Sequence, residues 1–187
     1  AIIAAFAANM GIAVAKFVAW IISGSASMLA EAIHSVADSG NQLLLLLGGR
    51  KAKREADSDH PFGYGRERYV YAFVVSIILF SVGGLFSIYE GVQKLIHPHE
   101  VDNLWVPIIV LLIAIGLESF SLRTAVKESN QVRQPGQSWV SFIRRSKAPE
   151  LPVVLLEDIA ALTGLVLALC GVGLTFLTHN PFFDALG

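Results

Sequence analysis

Five stretches of about 20 mainly apolar residues follow one another along the chain. They run roughly over Ile2–Ile22, Ser27–Gly48, Tyr69–Ile96, Leu104–Val126 and Leu151–Leu177. Lipid hydrocarbon offers no partner to a free backbone N–H or C=O, so segments of this kind fold as helices that satisfy themselves. The expected fold class is therefore an all-α membrane protein, a multi-span helical bundle with five spans present. Asn180–Gly187 reads as the lip of a sixth, truncated span, and both ends are expected to be cut from a longer protein. Composition agrees: 54% of residues are hydrophobic and 16% charged, against about 25% charged in soluble domains. The opening residues lack a basic n-region and an Ala-x-Ala cleavage site, which reads them as a span and not as a signal peptide. The single cysteine, Cys170, excludes an internal disulfide and a cysteine-rich metal framework.

The connections differ in charge. The segment after the second stretch carries Arg50, Lys51, Lys53, Arg54, Arg66 and Arg68, and the one after the fourth carries Arg123, Lys127, Arg133, Arg144, Arg145 and Lys147. The remaining connections hold only Lys94. Basic loops stay cytoplasmic, so the N-terminus is expected inside. Lys16, within the first stretch, is expected to snorkel toward the outer surface on its long stem. Nothing in the charge balance points to nucleic acid.

The second stretch breaks its own pattern. Glu31, His34, Asp38 and Asn41 lie within an arc of about 60° on one helical face. Asp38 falls about 16 Å from the helix start, near mid-membrane. An Asp at that depth costs on the order of 2.5–3.5 kcal/mol and needs a cation, a proton or a buried partner. His34 and Asp38, spaced i, i+4, put an imidazole and a carboxylate one turn apart, as paired ligands of helical metal sites are. A second acid, Asp158, lies about 10 Å into the fifth stretch and can meet them near the middle. Its neighbour Glu157 points about 100° away and is the weaker candidate. One nitrogen and two oxygen ligands suit Zn²⁺ or another first-row divalent ion. Imidazole must lose its proton to bind metal, which couples metal binding to proton release at one site.

"SGSASMLAEAIHSVADSGNQLLLLLG", "DHPFGYGRERYVYAF", "APELPVVLLEDIAALTG" and "NPFFDALG" together resemble the cation diffusion facilitator (cation efflux) family of metal transporters, over essentially the whole chain. The text around "SFIRRSKAPELPVVLLED" is most similar to the zinc transporter nine-like branch. The resemblance implies six spans, a homodimer, alternating access, and export of Zn²⁺ from the cytoplasm in exchange for protons, with no prosthetic group. It also implies a C-terminal cytoplasmic domain, expected to be missing here together with the sixth span. His34 and Asp38 match the family's ligand pair in the second span, and Asp158 the second member of the pair in the fifth. Val154 stands where the first member belongs. The loop before the fifth span, often histidine-rich in zinc exporters, has no histidine here.

The leading expectation is a proton-coupled divalent cation transporter, not an enzyme. The alternative is a transport-impaired subunit acting in metal sensing or partner binding, which Val154 favours. An intramembrane metalloenzyme ranks last, since no His-Glu-x-x-His motif is present. His60 and the flanking glycines read as a structural turn before the third span. Glu90 and Glu118 read as structural, the latter within reach of Arg123. The "HPHE" run, His97 to Glu100, reads as a solvated helix end.

Overall fold

The computed structural model describes residues 2–97, 103–146 and 149–187. Helix α1 spans Ile2–Ser23 and α2 spans Ala26–Lys51. The third span is continuous but changes register: α3 (Glu67–Ile78) leads into a π-helical segment (Leu79–Leu85) and then α4 (Phe86–Ile96). Helix α5 covers Trp105–Val132, short α6 Trp139–Arg145, α7 Glu150–Thr178 and short α8 Phe182–Leu186. His99 and Glu100 of the "HPHE" run lie outside the described residues.

Among the described residues, three helical segments are long and apolar enough to cross a membrane: Glu67–Ile96, Trp105–Val132 and Glu150–Thr178. Met10–Ser23 forms a shorter apolar helix. Helix α2 is also long enough, at 26 residues, or about 39 Å. Its polar stripe lowers its hydropathy, and it lies inside the bundle, packed by α1, α3, α4 and α7. Large apolar side chains such as Ile21, Phe73, Ile88, Phe120 and Leu177 point outward, as lipid-facing residues must. The chain is an integral membrane protein.

Two apolar clusters sit at different heights. One joins Ala19, Met28, Leu111, Ala114, Leu165, Ala168 and Val172, from α1, α2, α5 and α7. The other joins Leu45, Ala72 and Val75, with Leu44, Val153 and Val154 packed against them, from α2, α3 and α7. Along α2 the polar stripe falls between Met28 and Leu45, and along α7 the acids at 157 and 158 fall between Leu155 and Leu165. The polar groups of both helices therefore share one layer between two greasy ones.

The ends are tied by polar contacts. At the end with the basic loops, Lys51 pairs with Glu67 at 3.1 Å and Arg68 with Glu150 at 3.2 Å. The intervening loop is built on Asp57. Its carboxylate accepts from the backbone N–H of Asp59 and His60 and from the Tyr64 hydroxyl, the last at 2.6 Å. His60 stacks on the Tyr64 ring at 4.1 Å, and Gly63 takes a left-handed φ of 75°. The turn reading of His60 is thus what the structure displays. At the opposite end, Asp184 of α8 is 1% exposed. It accepts from Ser25 Oγ at 2.6 Å and from the N–H groups of Ala26 and Ser27 at the start of α2. Ser25 Oγ in turn accepts from the Met28 N–H.

Candidate functional site

His34 and Asp38 sit on consecutive turns of α2, with His34 Nε2 3.5 Å from Asp38 Oδ2. The two adjacent α7 acids turn to different neighbours. Glu157, 5% exposed, turns toward α2: its carboxyl lies within hydrogen-bonding reach of Asp38, and it accepts from Asn41 Nδ2 at 3.4 Å. Asp158 turns toward α5 and accepts from Ser121 Oγ at 3.1 Å. Asp38, Glu118, Glu157 and Asp158 all line one cavity of about 40 Å³, together with Lys16, Ser35, Gln42 and Ser121. That is room for a small ion together with a water or two, since a single water needs about 10–15 Å³ on the same measure.

Two carboxylate oxygens in this layer, Asp38 Oδ1 and Glu157 Oε2, are buried and receive no hydrogen bond from a donor. Buried polar atoms are otherwise almost always paired, because desolvation without a partner is costly. Among the described residues, no three His, Cys, Asp or Glu side chains converge closely enough to hold an ion as they stand. The donors share a layer and a cavity, and closing them on an ion requires side-chain movement.

His34 is set apart from the other two ligand candidates. It lines a second, larger cavity of about 510 Å³ between α2, the third span and α7, with Glu31, Ser76, Gly83, Ser87 and Glu157. Glu157 lines both cavities. Asp38 and Asp158 thus line the first cavity, His34 lines the second, and Glu157 lines both.

Other placements differ from expectation. Lys16 does not snorkel outward: it is 3% exposed, with its ammonium 2.8 Å from Glu31 Oε2 and 2.7 Å from Ser35 Oγ. A buried acid on the facing helix outcompetes the distant interface, because charge pairs strengthen as water is removed. Glu118 faces the cavity and the Asp158 charge. Val154 packs against the cluster of Leu45, Ala72 and Val75 and is not among the residues lining either cavity.

Comparison with known proteins agrees with this picture. The cation efflux transmembrane domain matches residues 2–187. The human protein "Proton-coupled zinc antiporter SLC30A9, mitochondrial" is 39% identical over 173 residues, covering 92% of this chain and 30% of that protein. Metal tolerance protein C4 of Arabidopsis thaliana is 33% identical, covering 92% of this chain and 38% of its own length. The magnetosome protein MamB of Magnetospira is 29% identical over 174 residues, 59% of its length. The chain spans about a third of the length of the first two relatives. It belongs to the cation efflux family, on the branch that includes the SLC30A9 proteins.

Proposed function

We propose that the protein transports a divalent metal cation, Zn²⁺ in the first instance, across a membrane in exchange for protons. His34, Asp38 and Asp158 are the proposed ligands, with Glu157 as the fourth donor in place of Val154. The observation that carries this reading is the pair of buried carboxylate oxygens that receive no hydrogen bond, Asp38 Oδ1 and Glu157 Oε2, in a layer whose cavity admits a small ion. The relatives named for zinc antiport and metal tolerance support the substrate class.

Charge supports the exchange. Lys16 is matched by Glu31, which leaves Asp38, Glu118, Glu157 and Asp158 around the cavity. Carboxylates at this depth need a cation or a proton to offset them. An arriving divalent ion and departing protons satisfy that need in turn, and His34 gives up any proton on Nε2 when it ligates. The basic loops at one end of the bundle favour a cytoplasmic placement of that end. Homodimeric assembly follows from the family resemblance and belongs to the same proposal.

Zn²⁺ binding to the purified protein separates the donors. Glu157→Gln and Asp158→Asn each keep side-chain size and should weaken Zn²⁺ binding about tenfold or more, roughly 1.4 kcal/mol. Val154→Ala should leave it unchanged. Unaltered affinity in Glu157→Gln removes Glu157 from the ligand set, and unaltered affinity in both acid variants overturns the site.

A further inference from the structure

The "SVGGL" sequence of the third span lies at the π-helical segment Leu79–Leu85. Single π-turns inside α-helices recur at functional sites, where they re-aim one face of a helix. Here the re-aimed face meets the His34 imidazole. A side-chain carbon built on Gly83 would stand 3.4 Å from His34 Cε1 and 2.9 Å from its Nδ1, the latter nearer than real contacts allow. A carbon on the adjacent Gly84 would meet nothing within 4 Å. The Gly83 backbone is also held in place: its carbonyl accepts from Ser87 Oγ at 2.6 Å. Any side chain at position 83 therefore displaces the imidazole before it displaces the helix.

The imidazole has little freedom to absorb that push without consequence. Its Nε2 faces Asp38 at 3.5 Å, while its Nδ1 edge faces Gly83. We infer that Gly83 is a positioning residue for His34: the absence of a side chain there sets the direction in which the imidazole presents Nε2, and through it the affinity for the cation. This inference rests on the reading that His34 is a ligand. It differs from a packing role, because the yielding group is the end of a side chain and not backbone, so folding is spared while the donor is misaimed.

The test compares two neighbouring glycines in the full-length protein reconstituted in liposomes. Gly83→Ala should raise the Zn²⁺ concentration for half-maximal uptake about tenfold, the effect typical of losing a contact that orients a ligand, and Gly84→Ala should leave it unchanged. In a His34→Asp background, whose shorter side chain leaves room for the added methyl, Gly83→Ala should have no further effect. A second readout needs no flux. The Cε1–H resonance of His34, assigned by its loss in His34→Asp, should move in Gly83→Ala and hold still in Gly84→Ala. Equal effects of the two glycine substitutions, or a stationary His34 resonance in Gly83→Ala, overturn the positioning role. Unchanged uptake in His34→Ala, with the resonance still moved by Gly83→Ala, instead removes His34 from the ligand set and leaves the contact standing.

Discussion

Val154 poses the sharpest question at the residue scale. The family pattern calls for a ligand there, yet this side chain packs with Leu45, Ala72 and Val75, one layer away from the acids. Glu157, three residues on in the same helix, is the donor proposed in its place. Val154→His should therefore not raise Zn²⁺ affinity. It should lower thermal stability, by about 1–3 kcal/mol for a polar group placed in apolar contact, as read by the melting of the detergent-purified protein. A gain in affinity would place position 154 on the ion. A second residue-scale prediction lies in the loop. The Tyr64 hydroxyl, followed by the His60 N–H, holds the Asp57 carboxyl below the usual carboxylate range. A lowered folded value means that the bond's contribution is present above the ordinary Asp pKa and lost as pH falls through the folded value. Amide protection factors at residues 57–64, that is, exchange relative to the unstructured rate at each pH, should thus fall on acidification below pH about 4. In Tyr64→Phe the fall should begin at higher pH, and identical profiles would refute the bond's role.

At the scale of elements, α2 is the piece on which the site hangs, and its start is held by α8. The first N–H groups of a helix have no partner within it. Here Asp184 and Ser25 satisfy those of Ala26, Ser27 and Met28, while Lys94 of α4 donates to the Gly24 carbonyl. Close backbone approaches support the joint: a side chain on Gly171 would strike the Phe183 carbonyl, and one on Gly91 that of Ala185. Asp184→Ala should cost about 1–3 kcal/mol of stability, the penalty for buried donors left without an acceptor. Asp184→Asn, which keeps acceptor oxygen, should cost less, and equal melting of both variants with the parent would contradict the capping role. The elements themselves were legible. Long apolar runs announced the spans, and the stripe from Glu31 to Asn41 announced the buried face of α2. The acids of α7 were less so. A single helical wheel sends Glu157 away from Asp158, but α7 is flanked by α2 on one side and α5 on the other. Asn41 and Ser121 meet the two acids separately. The π-turn at Gly83 left no trace in periodicity beyond the paired glycines, because one extra residue in one turn barely shifts a hydropathy pattern.

For the molecule as a whole, the polar layer lies between two apolar clusters. The first cavity opens on α1, α2, α5 and α7, and the second on α2, the third span and α7, so Glu157 stands at the boundary between them. The ion pairs Lys51–Glu67 and Arg68–Glu150 tie α2, α3 and α7 at the basic end. If that end is cytoplasmic, a cysteine at Ser58 in a Cys170→Ala background should react with impermeant thiol reagents only after the inner face is exposed. Labelling of intact cells would reverse the orientation.

Exchange of a metal ion for protons at one polar layer is tested by following Zn²⁺ uptake and internal pH together in liposomes bearing the full-length protein, with Asp38→Ala as the paired variant. Zn²⁺ flux should rise with an opposing proton gradient, move protons the other way, and fall at least a hundredfold in Asp38→Ala, about 2.7 kcal/mol. Zn²⁺ flux that ignores the gradient, or that survives in Asp38→Ala, would contradict that exchange.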